Sequence, residues 1–109
     1  MREPTYFILT ALLDGPLHGY AIISQVAQLS SGRVRLAAGT LYAALDRLTA
    51  EGMLRVVKEE IVSGRARRYY GVTEPGTVAV RAEADRMAAA AALVTHRRRP
   101  IVATAVMAV

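Results

Sequence analysis

A chain of 109 residues has room for one sizeable hydrophobic core. At this length about 60–70 % of the unfolded surface can be buried, so a monomer is modestly stabilised and a dimer would help. Its 14 Lys and Arg against 9 Asp and Glu, with a pI near 10.2, direct attention to nucleic acid, anionic membrane or acidic protein. The absence of cysteine excludes disulfides, thiolate metal sites and cysteine nucleophiles, and two histidines, His18 and His96, are too few for a histidine-rich metal centre.

Pro4 starts a first helix, where its missing N–H costs nothing. The helix is predicted to run to Leu13, with Tyr6, Ile8, Leu9, Leu12 and Leu13 on a broad apolar face. An acid and a proline precede the apolar run and no small-residue cleavage pattern follows it, so this is a helix of the fold and not a signal peptide. Asp14-Gly15-Pro16 breaks it. A second helix is predicted from Leu17 to Leu29, with Ile22, Val26 and Leu29 on one side, closed by Ser30-Ser31-Gly32. A third spans Ala37 to Glu51 and ends at Gly52, a left-handed cap position.

After Gly52 the periodicity changes. Met53 to Ile61 is rich in β-branched residues, Val62-Ser63-Gly64-Arg65 reads as a turn, and Ala66 to Val72 is a second strand. Thr73 then caps a last helix, with Glu74 at the positive end of its dipole. Val80, Ala84, Met87, Ala91 and Val94 fall on a narrow heptad seam, read as a dimerisation surface. Arg97 to Arg99 and Pro100 stop the helix, and the short apolar run Ile101 to Val109 follows. No run reaches the ~18 apolar residues of a membrane span. A soluble, cytoplasmic protein without stable membrane insertion is expected. The fold class is mainly α with a small β-hairpin: a winged helix-turn-helix over residues 1–73, a C-terminal dimerisation helix over 74–99, and an apolar tail over 100–109.

The chemistry-bearing residues lie on two elements. Arg65, Arg67 and Arg68 sit at and just after the Ser63-Gly64 turn, where a mobile tip suits phosphate oxygens or a narrow minor groove. Charge on an exposed edge also simply blocks aggregation, and the hairpin by itself leaves both readings open. On the third helix, stepping about 100° per residue places Leu45 and Leu48 within about 40° of Leu41. Ala43 points away from them, surrounded by Gly39, Asp46, Arg47 and Ala50, with Thr40 and Tyr42 on the shoulders. Small residues on that side let a helix axis sit deep in a major groove about 12 Å wide, with Thr40 and Arg47 reaching phosphate or base edges. Alanine on a solvated face is the plainer reading, and periodicity slightly favours it. His18, Gly19 and Tyr20 open the second helix, where free N–H groups attract anions. For His18 a capping role outweighs a metal role. No nucleophile–base arrangement and no phosphate loop is evident, so no enzyme and no cofactor is expected.

Taken together, LLDGPLHGYAI, GTLYAALDRLTAEGML and GRARRYYGVTEPG, in that order over roughly residues 5 to 76, resemble the PadR family of bacterial transcriptional regulators. The resemblance implies a repressor that dimerises through its last helix, binds a palindromic operator on double-stranded DNA, and is a candidate for release by a small hydrophobic effector. Carried onto this chain, it assigns DNA contacts to Gly39, Thr40, Tyr42, Ala43 and Arg47 of the third helix. Ser63, Gly64, Arg65, Arg67 and Arg68 form the wing, and Tyr20 adds a phosphate contact. Ala43 stands where the family often has proline, so the helix start is less rigidly held. The short, alanine-rich last helix leaves a small space for any effector. A winged-helix module for a protein partner, or a peripheral membrane protein using the apolar tail, is the alternative.

Overall fold

The apolar run after Pro4 coils into α1 (Glu3–Ala11), followed by β1 (Leu17–His18), α2 (Gly19–Leu29), α3 (Ala38–Ala50), β2 (Leu54–Val62), β3 (Arg65–Val72) and α4 (Glu74–Thr95). This computed structural model describes residues 1–97, and the apolar tail of the sequence reading lies outside them. Among the described residues no helix is long and apolar enough to cross a membrane.

Two differences from the sequence expectation have a tertiary reason, and α4 also ends earlier than expected, at Thr95 instead of residue 99. α1 ends at Ala11, two residues before Leu13, as Leu12 and Leu13 pass into a turn bonded to Leu9 O and Thr10 O. Leu13 is left 39 % exposed. Leu17 and His18 do not open α2. They form a third, short strand paired antiparallel with Tyr70 and Tyr69, giving a sheet of order β1-β3-β2. Local periodicity cannot see that pairing, because its partner lies some fifty residues downstream. His18 is the N-cap, its Nδ1 accepting from Ala21 N at 3.4 Å.

Helix ends follow their sequence signals closely. Gly52, at φ 80°, takes the left-handed position after α3. Its N–H bonds Thr49 O at 3.0 Å and that of Met53 bonds Leu48 O at 2.9 Å, the two bonds of a Schellman motif. α2 closes with the same pair of bonds, Ser31 N to Gln28 O and Gly32 N to Ala27 O, but with Ser31 at φ 54° in the strained place. The hairpin turns on Ser63 and Gly64, at φ 52° and 78°, the two positive values that a two-residue type I′ turn requires.

The core draws Ile8 and Leu9 from α1, Leu12 from the turn after it, Ile22 and Val26 from α2, Leu41, Leu45 and Leu48 from α3, Leu54 and Tyr70 from the sheet, and Val80 from α4. Leu29, expected on the buried side of α2, is 45 % exposed. Thr73 joins three elements: its N–H bonds Met53 O at 3.0 Å, its hydroxyl donates to Gly52 O at 2.6 Å, and the same oxygen accepts from Gly76 N at 3.1 Å. α4 is thereby anchored at the corner between α3 and β2. Val80, the first residue of the expected heptad seam, is 2 % exposed and packs in this chain's own core. Ala84 is half-buried, while Met87, Ala91 and Val94 are exposed.

Candidate nucleic-acid interface

Burying Leu41, Leu45 and Leu48 completely turns the opposite side of α3 outward, and Gly39, Thr40, Ala43, Asp46 and Ala50 are all exposed there. Tyr42 is 45 % exposed and leans across the start of α2. A Cβ on Gly19 would come within 2.5 Å of its hydroxyl, so the glycine makes the space in which the ring lies. Tyr20, in the first turn of α2, is 79 % exposed. Between these residues and the hairpin runs an open groove of about 520 Å³ whose lining includes His18, Tyr20, Tyr42, Asp46, Arg65, Arg67 and Arg68. Residues scattered over fifty positions of sequence thus share one surface.

Adding a methyl at Gly19 tests that fit. The colliding atom is the far end of a movable ring, and alanine gains up to about 1 kcal/mol over glycine within a helix. For Gly19→Ala, urea unfolding is expected to move by less than about 1 kcal/mol. Duplex affinity, read by fluorescence anisotropy, should fall at least severalfold because Tyr42 is pushed from its place.

The hairpin's charges are not equivalent. Arg68 is paired across the strands with Glu59, Nε to Oε2 at 3.6 Å. Glu60 accepts from the Tyr69 hydroxyl at 2.8 Å and lies 3.3 Å from Lys58 Nζ. Those two contacts, the tyrosine hydrogen bond first, hold its carboxyl below the ordinary glutamate range. The His18 ring stands edge-on to Tyr69 at 5.5 Å, linking the α2 cap to the hairpin base. Arg65 and Arg67 join no ion pair among the described residues. Ser63 and Gly64 are exposed at the tip.

Arg47, assigned to the DNA contacts by the family resemblance, keeps a half-exposed side chain whose guanidinium is already bonded within the chain. Its Nη2 donates to Thr5 Oγ1 at 3.0 Å and its Nη1 to Glu51 Oε1 at 3.3 Å. The guanidinium therefore ties α3 to α1, and reaching a base edge would mean giving up both bonds. Asp46, noted in sequence only as a neighbour of Ala43, faces the groove instead. Its position on the helical wheel was the available clue. Among the described residues no cluster of three or more metal-ligating side chains occurs.

Three helices, a short first strand and an arginine-tipped hairpin define a winged helix-turn-helix protein. The sequence matches the PadR-like family of transcriptional regulators over residues 8–82, and the chain belongs to that family. It is 41 % identical over 87 residues to an uncharacterised 37.1 kDa protein in transposon TN4556 of Streptomyces fradiae, covering 80 % of this chain and 24 % of that protein. Identity to the transcriptional regulator Rv3488 of Mycobacterium tuberculosis is 42 % over 73 residues, 67 % of this chain and 64 % of the relative. The chain thus spans about a quarter of the first relative's length and just under two thirds of the second's. Among solved structures, a PadR family regulator from Clostridium difficile superposes with a TM-score of 0.73 at 22 % identity, covering 87 % of this chain and 97 % of that one. Bacillus subtilis PadR, solved in complex with operator DNA, gives 0.67 at 25 % identity over 92 % of this chain and 51 % of that one.

Proposed function

We propose that the chain is a non-catalytic, sequence-specific DNA-binding regulator, acting in the cytoplasm as a homodimeric repressor on a palindromic operator. The observation that carries this reading is the shared surface of α3 and the hairpin. Tyr42 and Asp46 of α3 line one groove with Arg65 and Arg67, and neither arginine joins an ion pair among the described residues. In this reading α3 enters the major groove through Gly39, Thr40, Tyr42 and Ala43. Ser63, Gly64 and the wing arginines follow the flanking backbone, and Tyr20 meets a phosphate. Arg47 holds the angle of α3 on α1. The Bacillus subtilis relative, crystallised on operator DNA, supports the same mode.

Dimerisation is assigned to the distal half of α4, where Met87 is 37 %, Leu93 62 % and Val94 75 % exposed. A small hydrophobic effector lodged between the two copies of that helix would release the operator. Two reading helices about a two-fold axis meet successive major grooves about 34 Å apart. Anisotropy titrations should show tighter binding to a selected palindrome than to a scrambled duplex, and equal affinities would overturn the specific-regulator reading. Met87→Glu with Val94→Glu should shift sedimentation from dimer to monomer and weaken operator binding more than tenfold. An unchanged sedimentation coefficient would remove α4 from the dimer interface.

A further inference from the structure

The outer half of α3 carries two neighbouring charges, and the fold sends them in opposite directions. Arg47 turns toward α1, held by Thr5 and Glu51. Asp46 lines the groove between α3, the start of α2 and the hairpin, and it joins no ion pair among the described residues. The charge that α3 presents at the groove is therefore negative, on a surface whose other charged residues are Arg65, Arg67 and Arg68. Nothing in helix stability accounts for it. Aspartate is among the weaker helix formers, and mid-helix it gains little from the dipole.

Asp46 continues the strip of Gly39 and Ala43, with Ala50 four residues further on. Its small neighbours on that exposed strip allow close approach, which puts its carboxylate within reach of base edges. An ionised carboxylate accepts hydrogen bonds and cannot donate them. Along the major groove the donors are the exocyclic amino groups, N4 of cytosine and N6 of adenine, while guanine O6 and N7 and thymine O4 are acceptors that repel it.

We propose that Asp46 is a specificity-determining residue of the DNA-reading helix. It selects a base that presents an exocyclic amino group, cytosine or adenine, at one position of each half-site, and rejects guanine and thymine there. The inference deepens the regulator reading and rests on it. Asp46 also opposes the phosphate charge, so it exchanges some affinity for selectivity.

The test is selection from a randomised duplex library by the full chain and by Asp46→Ala and Asp46→Asn, each checked for helicity by circular dichroism. The unsubstituted protein should enrich a palindrome with one position per half-site preferring cytosine or adenine by about tenfold or more. The enriched base tells which of the two amino groups is read. Asp46→Ala should flatten that position and leave the others intact. Asp46→Asn, which can both donate and accept, should admit guanine or thymine there. Both variants should bind mixed-sequence duplex about threefold more tightly at low salt. Identical base preferences for the unsubstituted protein and Asp46→Ala would overturn this inference while leaving DNA binding intact. Loss of preference at a guanine or thymine position would overturn it as well. Failure of the unsubstituted protein to enrich any sequence would instead sink the regulator reading itself.

Discussion

Replacing Arg65 and Arg67 together by alanine is expected to weaken duplex binding by about two orders of magnitude at moderate salt, on operator and scrambled sequences alike. Each phosphate contact contributes about 0.9 to the slope of log affinity against log salt. The double variant should therefore flatten that slope by about 2 per protomer. Both residues line the groove beside α3 and join no ion pair among the described residues, although Arg67 stands across the strands from Glu60, so most of their charge is available to a polyanion. Arg68→Ala should do less, because its guanidinium already lies 3.6 Å from Glu59 and part of its field is spent there. Anisotropy titrations between low and physiological salt read both quantities. A salt slope unchanged in the double variant would mean that the hairpin does not touch the nucleic-acid backbone.

Gly76→Ala carries the largest expected loss of stability, about 2–3 kcal/mol by urea unfolding, in the range of overpacked interiors. A Cβ there would sit 2.2 Å from Met53 O and 2.8 Å from Val72 Cγ2. The first is a backbone atom already accepting from Thr73 N, so it cannot swing aside as a side chain would. The first turn of α4 would have to lift off the corner formed by the end of α3 and the start of β2. Against a total of about 5–15 kcal/mol for a domain of this size, that is a large share. Thr73→Ala, which removes the cap and the hydroxyl's bond to Gly52 O, should cost about 1–2 kcal/mol by the same measurement. An unfolding midpoint unmoved by Gly76→Ala would show that α4 is not seated as described.

Of the interface, the wing was the easier part to read. The Ser63-Gly64 turn and the arginines after it announce themselves by turn chemistry and charge, which act within a few residues. The outer side of α3 was legible as geometry and ambiguous as function, since a row of small residues is also a plain solvated helix. The partners of individual charges were not legible at all. Arg47 and Asp46 are adjacent in sequence, and which one faces the groove depends on where α1 packs.

Local physical chemistry in the chain was enough for the four helices, the glycine cap at Gly52, the Ser63-Gly64 hairpin, the capping of α2 by His18, and the buried row Leu41, Leu45 and Leu48. Each depends on backbone preferences and periodicity over one or two turns. Tertiary structure decided what needs distant partners. It made a strand of Leu17 and His18 by pairing them with Tyr70 and Tyr69, and it drew Val80 into the chain's own core. It also turned Arg47 to Thr5, leaving Asp46 at the groove beside Arg65 and Arg67. These outcomes follow from which helix packs on which, and no local pattern encodes that.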